Sequence, residues 1–370
     1  MSSSQIQGSS VWHNFKIGDI LTLEYGKSLK DYREGKGTYD VFGTNGKIGT
    51  TESYLYDKPS LVIGRKGAYR GVHLAKNPFF VIDTAFYTKN KIKELDINFI
   101  YNWFKCIDIN LMDSGSAIPS TNKDEVYDLD ISLPPLPEQK AIASILSNLD
   151  EKIDLLHRQN ETLEAMAETI FRQWFVEEKK EAWEEKPLSY IADFLNGLAC
   201  QKFPPVNNLE KLPVLKIKEL SIGISELSDW ATSKVNPEYI VKHGDVIFAW
   251  SASLMVKVWG GEDCVLNQHL FKVTSSAFPK WFYLMWCKHH LAEFVSISSS
   301  HATTMGHIKR GDLDAAMVSI PPINVLDKMS EQMTPILNKQ IANTKQIRTL
   351  EKLRDTLLPK LMSGEVRVAA

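Results

Sequence analysis

Two sets of side chains have the types and spacing to grip a flat polar or anionic ligand. In the first, Arg65, Lys66, Tyr69 and Arg70 flank a glycine-containing turn. Asn45 and Lys47 sit in a second glycine-rich turn, and Ser120, Thr121, Asn122 and Lys123 lie in a polar loop. The second set is Trp250, Ser251, Ser253 and Lys257, then His301, Thr303, Thr304, His307, Lys309 and Arg310. Arginine offers a planar fork that takes a guanine edge bidentately, whereas lysine suits phosphates. Glycine lets backbone approach a ligand closely. Singly, each of these residues reads equally as solvated surface. Recurring as groups at matching places in two halves of the chain, they read as contacts. Trp250 reads either as core or as a wedge against a ligand.

Groups like these need a scaffold. Pro134 to Phe175 supplies a long one, because after Pro137 it holds no proline or glycine. Apolar residues fall at alternating steps of four and three: Ile142, Leu146, Leu149, Ile153, Leu156, Leu163, Ala167, Ile170 and Trp174. Asn160 alone interrupts this seam, and one buried Asn fixes register in many coiled coils. The pattern predicts a helix roughly 60 Å long at 1.5 Å per residue, with one narrow stripe for one partner helix.

The chain carries that partner. A second proline-started stretch runs from Pro321 to Met362, and an offset of 187 superimposes the two patterns. Ile142, Leu149, Leu163 and Ile170 then fall on Met329, Ile336, Leu350 and Leu357, with Ile347 on the same stripe. Gln340, Asn343 and Arg354 also occupy stripe positions, and Pro335 is expected to interrupt an early turn.

The regions before each helix repeat as well. The first reads as short strands with tight turns, a helix over 98–110, a polar loop and a strand over 127–133. The second matches it at offsets of 171 near Trp183, 185 at Val246-Ile-Phe-Ala-Trp-Ser-Ala and 184 at Cys264-Val-Leu-Asn-Gln-His-Leu. The expected fold class is therefore α+β. Two similar globular domains, 1–133 and 183–320, are separated by two long antiparallel coiled-coil helices in 134–182 and 321–370, related by a pseudo-twofold internal repeat. Such a rod holds two non-identical readers apart, which suits a bipartite duplex target.

These features resemble the DNA-specificity subunit of type I restriction–modification systems. The resemblance rests on the tandem layout, on Leu133-Pro-Pro-Leu-Pro-Glu-Gln-Lys-Ala-Ile-Ala, on Leu357-Leu-Pro-Lys-Leu-Met-Ser-Gly-Glu-Val, and on Gly43-Thr-Asn-Gly-Lys-Ile-Gly followed by Leu61-Val-Ile-Gly-Arg-Lys-Gly. It covers about Phe15 to Val368. It implies two target-recognition domains that each read half of a split double-stranded DNA sequence. It also implies helices that space them and dock adenine-N6 methyltransferase subunits, expected as a pair, with motor–nuclease subunits joining for cleavage. The second half departs from the pattern, with Ala249-Trp-Ser-Ala in place of Gly-Arg-Lys-Gly and Pro-Pro-Ile-Asn-Val-Leu-Asp opening its helix.

No motif assigns catalysis to the chain itself. Asn77-Pro78-Phe79-Phe80 lacks the second proline of the adenine-methyltransferase tetrad and reads as a turn entering a strand. Gly43 to Gly49 departs from a phosphate loop, with Val41 at the first glycine and Ile48 after the lysine. The histidines lack partners at metal-ligand spacing. The expectation is a non-catalytic chain that binds no cofactor, with S-adenosylmethionine, ATP and Mg held on partner subunits.

Charge and composition agree. The net charge is −2 over 370 residues. From Lys16 to Lys105 there are 15 basic against 10 acidic residues, whereas Pro134 to Pro187 holds 7 against 12. The weak basic excess thus lies on the first globular region. No apolar run reaches membrane-spanning length, and the start of the chain does not read as a signal peptide. Four separated cysteines read as buried thiols in a reducing cytoplasm, and the expected compartment is cytoplasmic. The alternative is a coiled-coil interaction scaffold with no DNA-reading role. The duplicated basic and polar loops favour the reader.

Overall fold

The computed structural model describes residues 11–112, 119–300 and 306–369, with Ser300 by its backbone alone. The first half opens with β1 (His13–Lys16), α1 (Ile17–Ile20), β2 (Leu21–Tyr25), β3 (Tyr39–Gly43) and β4 (Gly46–Thr51). It continues with β5 (Ser60–Gly64), β6 (Val72–Ala75), β7 (Phe79–Val81), β8 (Ala85–Asn90), α2 (Ile97–Lys105), α3 (Lys123–Tyr127) and β9 (Asp130–Leu133). The long helix α4 (Leu136–Arg172) follows. The second half comprises β10 (Glu184–Pro187), α5 (Leu188–Ile191), β11 (Asp193–Asn196), β12 (Lys211–Leu215), α6 (Ile217–Ile222), β13 (Trp230–Thr232) and β14 (Ile240–Val241). Next come β15 (Val246–Ala249), β16 (Met255–Val258), β17 (Cys264–Leu266), β18 (Leu270–Thr274), α7 (Lys280–His289), α8 (Leu291–Ser300), α9 (Arg310–Ala315), β19 (Met317–Ile320) and the second long helix, α10 (Ile323–Ser363).

Sheet topology repeats between the halves. The order β2-β8-β5-β6 in the first becomes β11-β18-β15-β16 in the second, antiparallel throughout. β3 pairs with β4 antiparallel and with β7 parallel, and β12 repeats this with β13 and β17. β1 closes on β9, and β10 closes on β19. The equivalence fixes the offset over 264–270 at 185, one more than the sequence match, because Phe86 faces Ile63 as Phe271 faces Phe248. Gly26 and Gly197 share a structural reason. A Cβ would lie 2.0 Å from Ile82 O at the first and 2.3 Å from Asn267 O at the second.

By compactness the chain divides into one unit of Met1–Lys152 with Glu351–Ala370 and a second of Ile153–Leu350. In the first, Leu61, Ile63 and Phe86 pack with Phe99, Trp103 and Phe104 of α2, Ile142 and Leu146 of α4, and Leu361 and Met362 of α10. In the second, Phe248 and Phe271 pack with Trp281, Phe282 and Trp286 of α7, Phe294 of α8, Phe171 of α4, and Met329 and Met333 of α10.

The seam appears in each unit. Ile142, Leu146, Ile153, Leu156, Met329 and Ile347 are buried. Leu149, Leu163, Ile170, Ile336, Leu350 and Leu357 are half-buried. Within the second unit, Ile153 and Leu156 meet Ile347 and Leu350, so the helices run antiparallel. Within the first, Asp150 accepts from Lys105 Nζ (2.9 Å) and from Arg354 Nη1 (3.0 Å).

Some expectations are corrected. α10 runs unbroken through Pro335, because the ring removes one amide donor without ending the apolar stripe. The helix expected over 98–110 ends at Lys105, with a separate 3-10 turn at Ile109–Leu111. The strand expected over 127–133 begins at Asp130. Asn122 caps the short helix α3 before it, and Tyr127 Oη accepts from the Leu23 amide. Cys106 is exposed, whereas Cys200, Cys264 and Cys287 are buried.

Candidate nucleic-acid interface

The residues singled out by type gather mainly where β5 and β15 end. In the first half the Arg65 amide donates to Thr84 O (2.9 Å), the Gly67 amide to Pro119 O (3.0 Å) and the Thr121 amide to Arg65 O (2.9 Å). Lys66 bridges Ser120. In the second half the Trp250 amide donates to His269 O (3.4 Å), the Ala252 amide to Gly306 O (2.8 Å) and the Ile308 amide to Trp250 O (3.0 Å). Ser251 bridges His307. The two backbone traps are the same, residue for residue. The turn has positive φ in both, +129° at Gly67 and +54° at Ala252. Glycine adopts that conformation freely, whereas alanine holds it under strain.

The side chains on this shared frame differ. The Arg65 guanidinium lies 4.9 Å from the Tyr25 ring centroid and 5.9 Å from that of Phe86. Lys123 Nζ sits 4.7 Å from the Tyr25 centroid. Arg65 Nη1 donates to Asp83 O at 3.0 Å, and among the described residues no other hydrogen bond of its fork is made. Tyr69, at the tip of the same turn, is 82% exposed. This is a cationic, aromatic-backed surface suited to phosphate or a base edge.

In the second half the equivalents of Arg65, Tyr25 and Phe86 are Trp250, Asn196 and Phe271. Trp250 stacks on Phe271 (5.6 Å, 26°) and donates from Nε1 to Asn196 Oδ1 at 3.1 Å. The His269 and His307 rings lie 6.0 Å and 6.3 Å from it. Ser251 Oγ is 3.1 Å from His269 Nδ1. Trp250 is partly buried on the core, so the core reading holds for one of its faces. Arg310 Nη2 donates to Phe194 O (3.3 Å), and Lys309 leads into α9. Ser253 is exposed on the same turn.

Other candidates fall elsewhere. Arg70 is a correction: it is 3% exposed, and its Nη2 donates to Asn110 O (3.1 Å), so it belongs to the interior. Thr121 is buried, and Asn122 is spent capping α3. Lys47 pairs with Asp40 at 2.6 Å, whereas Asn45 packs beside Gly71. Lys257 lies on β16 and lines a cavity of about 310 Å³ against α4 and α10, away from the loop cluster. His301, Thr303 and Thr304 lie outside the described residues. Sequence reasoning missed Tyr25, Thr84 and Phe86, and their counterparts Asn196, His269 and Phe271. The 171 and 185 offsets were the signal that could have found them.

Among the described residues no group of three His, Cys, Asp or Glu could hold a metal ion, and no helix is long and apolar enough to cross a membrane. The frame is thus an internally repeated pair of mixed α/β domains, each ending in one long helix.

The family model described as the type I restriction modification DNA specificity domain matches residues 9–165 and again 180–352. The chain belongs to that family. It is 27% identical to the type I restriction enzyme MjaIX specificity subunit of Methanocaldococcus jannaschii, over 85% of this chain and 79% of that protein. It is 25% identical to the MjaVIII specificity subunit of the same organism, over 96% and 93%. The crystal structure of the type I restriction–modification S subunit from M. genitalium shares the fold, with a TM-score of 0.66 at 17% identity and coverage of 97% and 98%.

Proposed function

We propose that this chain is the sequence-reading component of a type I restriction–modification complex. Each domain reads one half of a bipartite duplex, and α4 and α10 space the two readers. The observation that carries this is the duplicated loop trap at the ends of β5 and β15. One backbone frame presents Arg65 with Lys123 in the first half and Trp250 with His269 and His307 in the second. A shared frame with different side chains is what two different half-sites require.

In this reading the chain performs no chemistry. Two adenine methyltransferase subunits dock on the helices, and motor–nuclease subunits join them. S-adenosylmethionine, ATP and Mg stay on those partners, and the complex works in the cytoplasm. Base readout comes from side chains on the loops, whereas lysines hold the phosphate backbone in register.

The test is a map of N6-methyladenine in cells carrying the candidate methyltransferase with and without this chain. A split motif that appears only with the chain supports the reading. An unchanged map, with both proteins folded and associated, moves the assignment to a scaffold.

A further inference from the structure

The middle of the helix pair in the second unit is polar. Asn160 Nδ2 donates to Thr344 Oγ1 (3.2 Å) and to Gln340 O (3.4 Å), and Gln340 Nε2 donates back to Asn160 O (3.3 Å). Asn343 Nδ2 donates to Asn160 Oδ1 (2.9 Å) and to Gln159 Oε1 (3.0 Å). Asn343 is 1% exposed, and its Oδ1 has no partner among the described residues. Thus Asn160 faces Asn343, and one turn away Leu156 packs with Ile347.

The internal repeat makes this layer selective. The offset of 187 carries Asn160 onto Ile347 and Leu156 onto Asn343, so the polar pair is the repeat's mate of the apolar pair. Put a second copy of α4 in place of α10, and Asn160 meets Leu156. Put a second copy of α10 in place of α4, and Asn343 meets Ile347. Slip the native pair by one heptad, and Asn160 meets Ile336 or Leu350 while Asn343 meets Ile153 or Ala167. Each alternative buries an amide against apolar side chains, which leaves its donors and acceptors unmet. Of the pairings open to α4, only α10 in the observed register sets amide on amide. The apolar stripe does not discriminate in this way, because the two halves carry like stripes.

We propose that the Asn160–Gln340–Asn343–Thr344 layer is the pairing-choice device of the chain. It makes α4 select α10 over a second α4, and it fixes their register. Pairing of α4 with a second α4 and heptad-slipped pairing of α4 with α10 are both suppressed. A one-heptad slip moves one helix about 10 Å along the other, or about three base pairs of duplex. The layer therefore also holds the gap between half-sites to one value, a consequence that rests on the DNA-reading role.

The experiment uses the full chain. Light scattering on the purified protein reads the number of chains per particle, independently of DNA. A methylation map with the methyltransferase reads the gap. The parent is expected as one chain with one gap. Asn160→Leu with Asn343→Leu is expected to put part of the protein at twofold mass, or to add a second gap to the map. A parent already paired, or a folded double variant that stays single with the parent gap alone, overturns the proposal. If the double variant loses its fold, exchanging the layers decides. Adding Leu156→Asn and Ile347→Asn to Asn160→Ile and Asn343→Leu restores an amide pair one turn away. A folded, single exchange variant supports the proposal, and an exchange variant that is unfolded or paired overturns it.

Discussion

Arg65 and Trp250 occupy the same backbone position in the two halves of one chain. The amide of each donates across to the strand partner's turn, at Thr84 O and His269 O, and the carbonyl of each accepts from the amide one residue beyond the bridge, Thr121 or Ile308. The side chain of each lies over an equivalent phenylalanine, Phe86 or Phe271. The scaffold is duplicated, and the surface it offers is not.

The first prediction follows from that difference. Arg65→Ala should reduce affinity for duplexes carrying the first half-site by about 1–3 kcal/mol, the range of a bidentate base contact, and relax base preference there. Preference in the other half should stay as it was. Trp250→Ala should do the reverse. Arg65→Lys should keep charge but lose discrimination, because an ammonium has no planar fork. Binding titrations against duplexes randomised in one half at a time check this.

Leu156 is 2% exposed and packs with Ile153, Ile347 and Leu350. Leu156→Ala should destabilise the chain by about 2–5 kcal/mol. Leu156→Asp should do more, since a carboxylate would be buried without a partner, and partner assembly should be lost with the helix pair. Urea melts and pull-down of the methyltransferase read the two effects. A complex that still forms and reads its site with Leu156→Asp would refute the spacing role of the helices.

Arg367 donates from Nε and Nη2 to the two carboxylate oxygens of Glu138, at 2.6 and 2.7 Å, and Trp12 Nε1 adds a bond at 3.3 Å. The Arg367 hydrogen bonds hold the Glu138 carboxyl below its ordinary value. A group depressed on folding contributes stability above its unfolded value, about 4.3, and loses it as pH falls through the lower folded value. Glu138→Gln should therefore lower stability at neutral pH and flatten its decline below about pH 4. Thermal melts from pH 7 to pH 3 measure both.

Much of the architecture was legible because its signals are local or periodic. The seven-residue seam of α4 needs only the chain from Ile142 to Trp174. The repeat shows itself through offsets that drift little. The misplaced residues depended on contacts distant in sequence. Arg70 looked like its neighbour Arg65, and Asn110, on another element, draws it inside. Exposed Tyr25 backs Arg65 on top of buried Phe86 because antiparallel pairing sets the two rings face to face. Lys257 fits the polar pattern of the turn before it, yet it lies on β16 opposite Ile247, where its Nζ donates to Ser221 O (3.3 Å).

The glycines at the close crossings give a fourth prediction. Gly197→Ala should destabilise the second half by about 1–3 kcal/mol, the range of an overpacked core, because its Cβ would meet backbone that cannot yield. Gly26→Ala should do the same in the first half. Each should lower occupancy of one half-site, and hydrogen exchange should localise the loosening to that half.

The measurement closest to the central claim is domain exchange. The segment 13–133 is replaced by its counterpart from a relative that reads another target, with α4, the second half and α10 kept. Methylated adenines are then mapped in cells that also carry the methyltransferase. One half of the split motif should change, while the other half and the gap stay as before. If both halves change, or neither does, with the exchanged protein folded and bound to its methyltransferase, the two domains are not independent readers on a common frame.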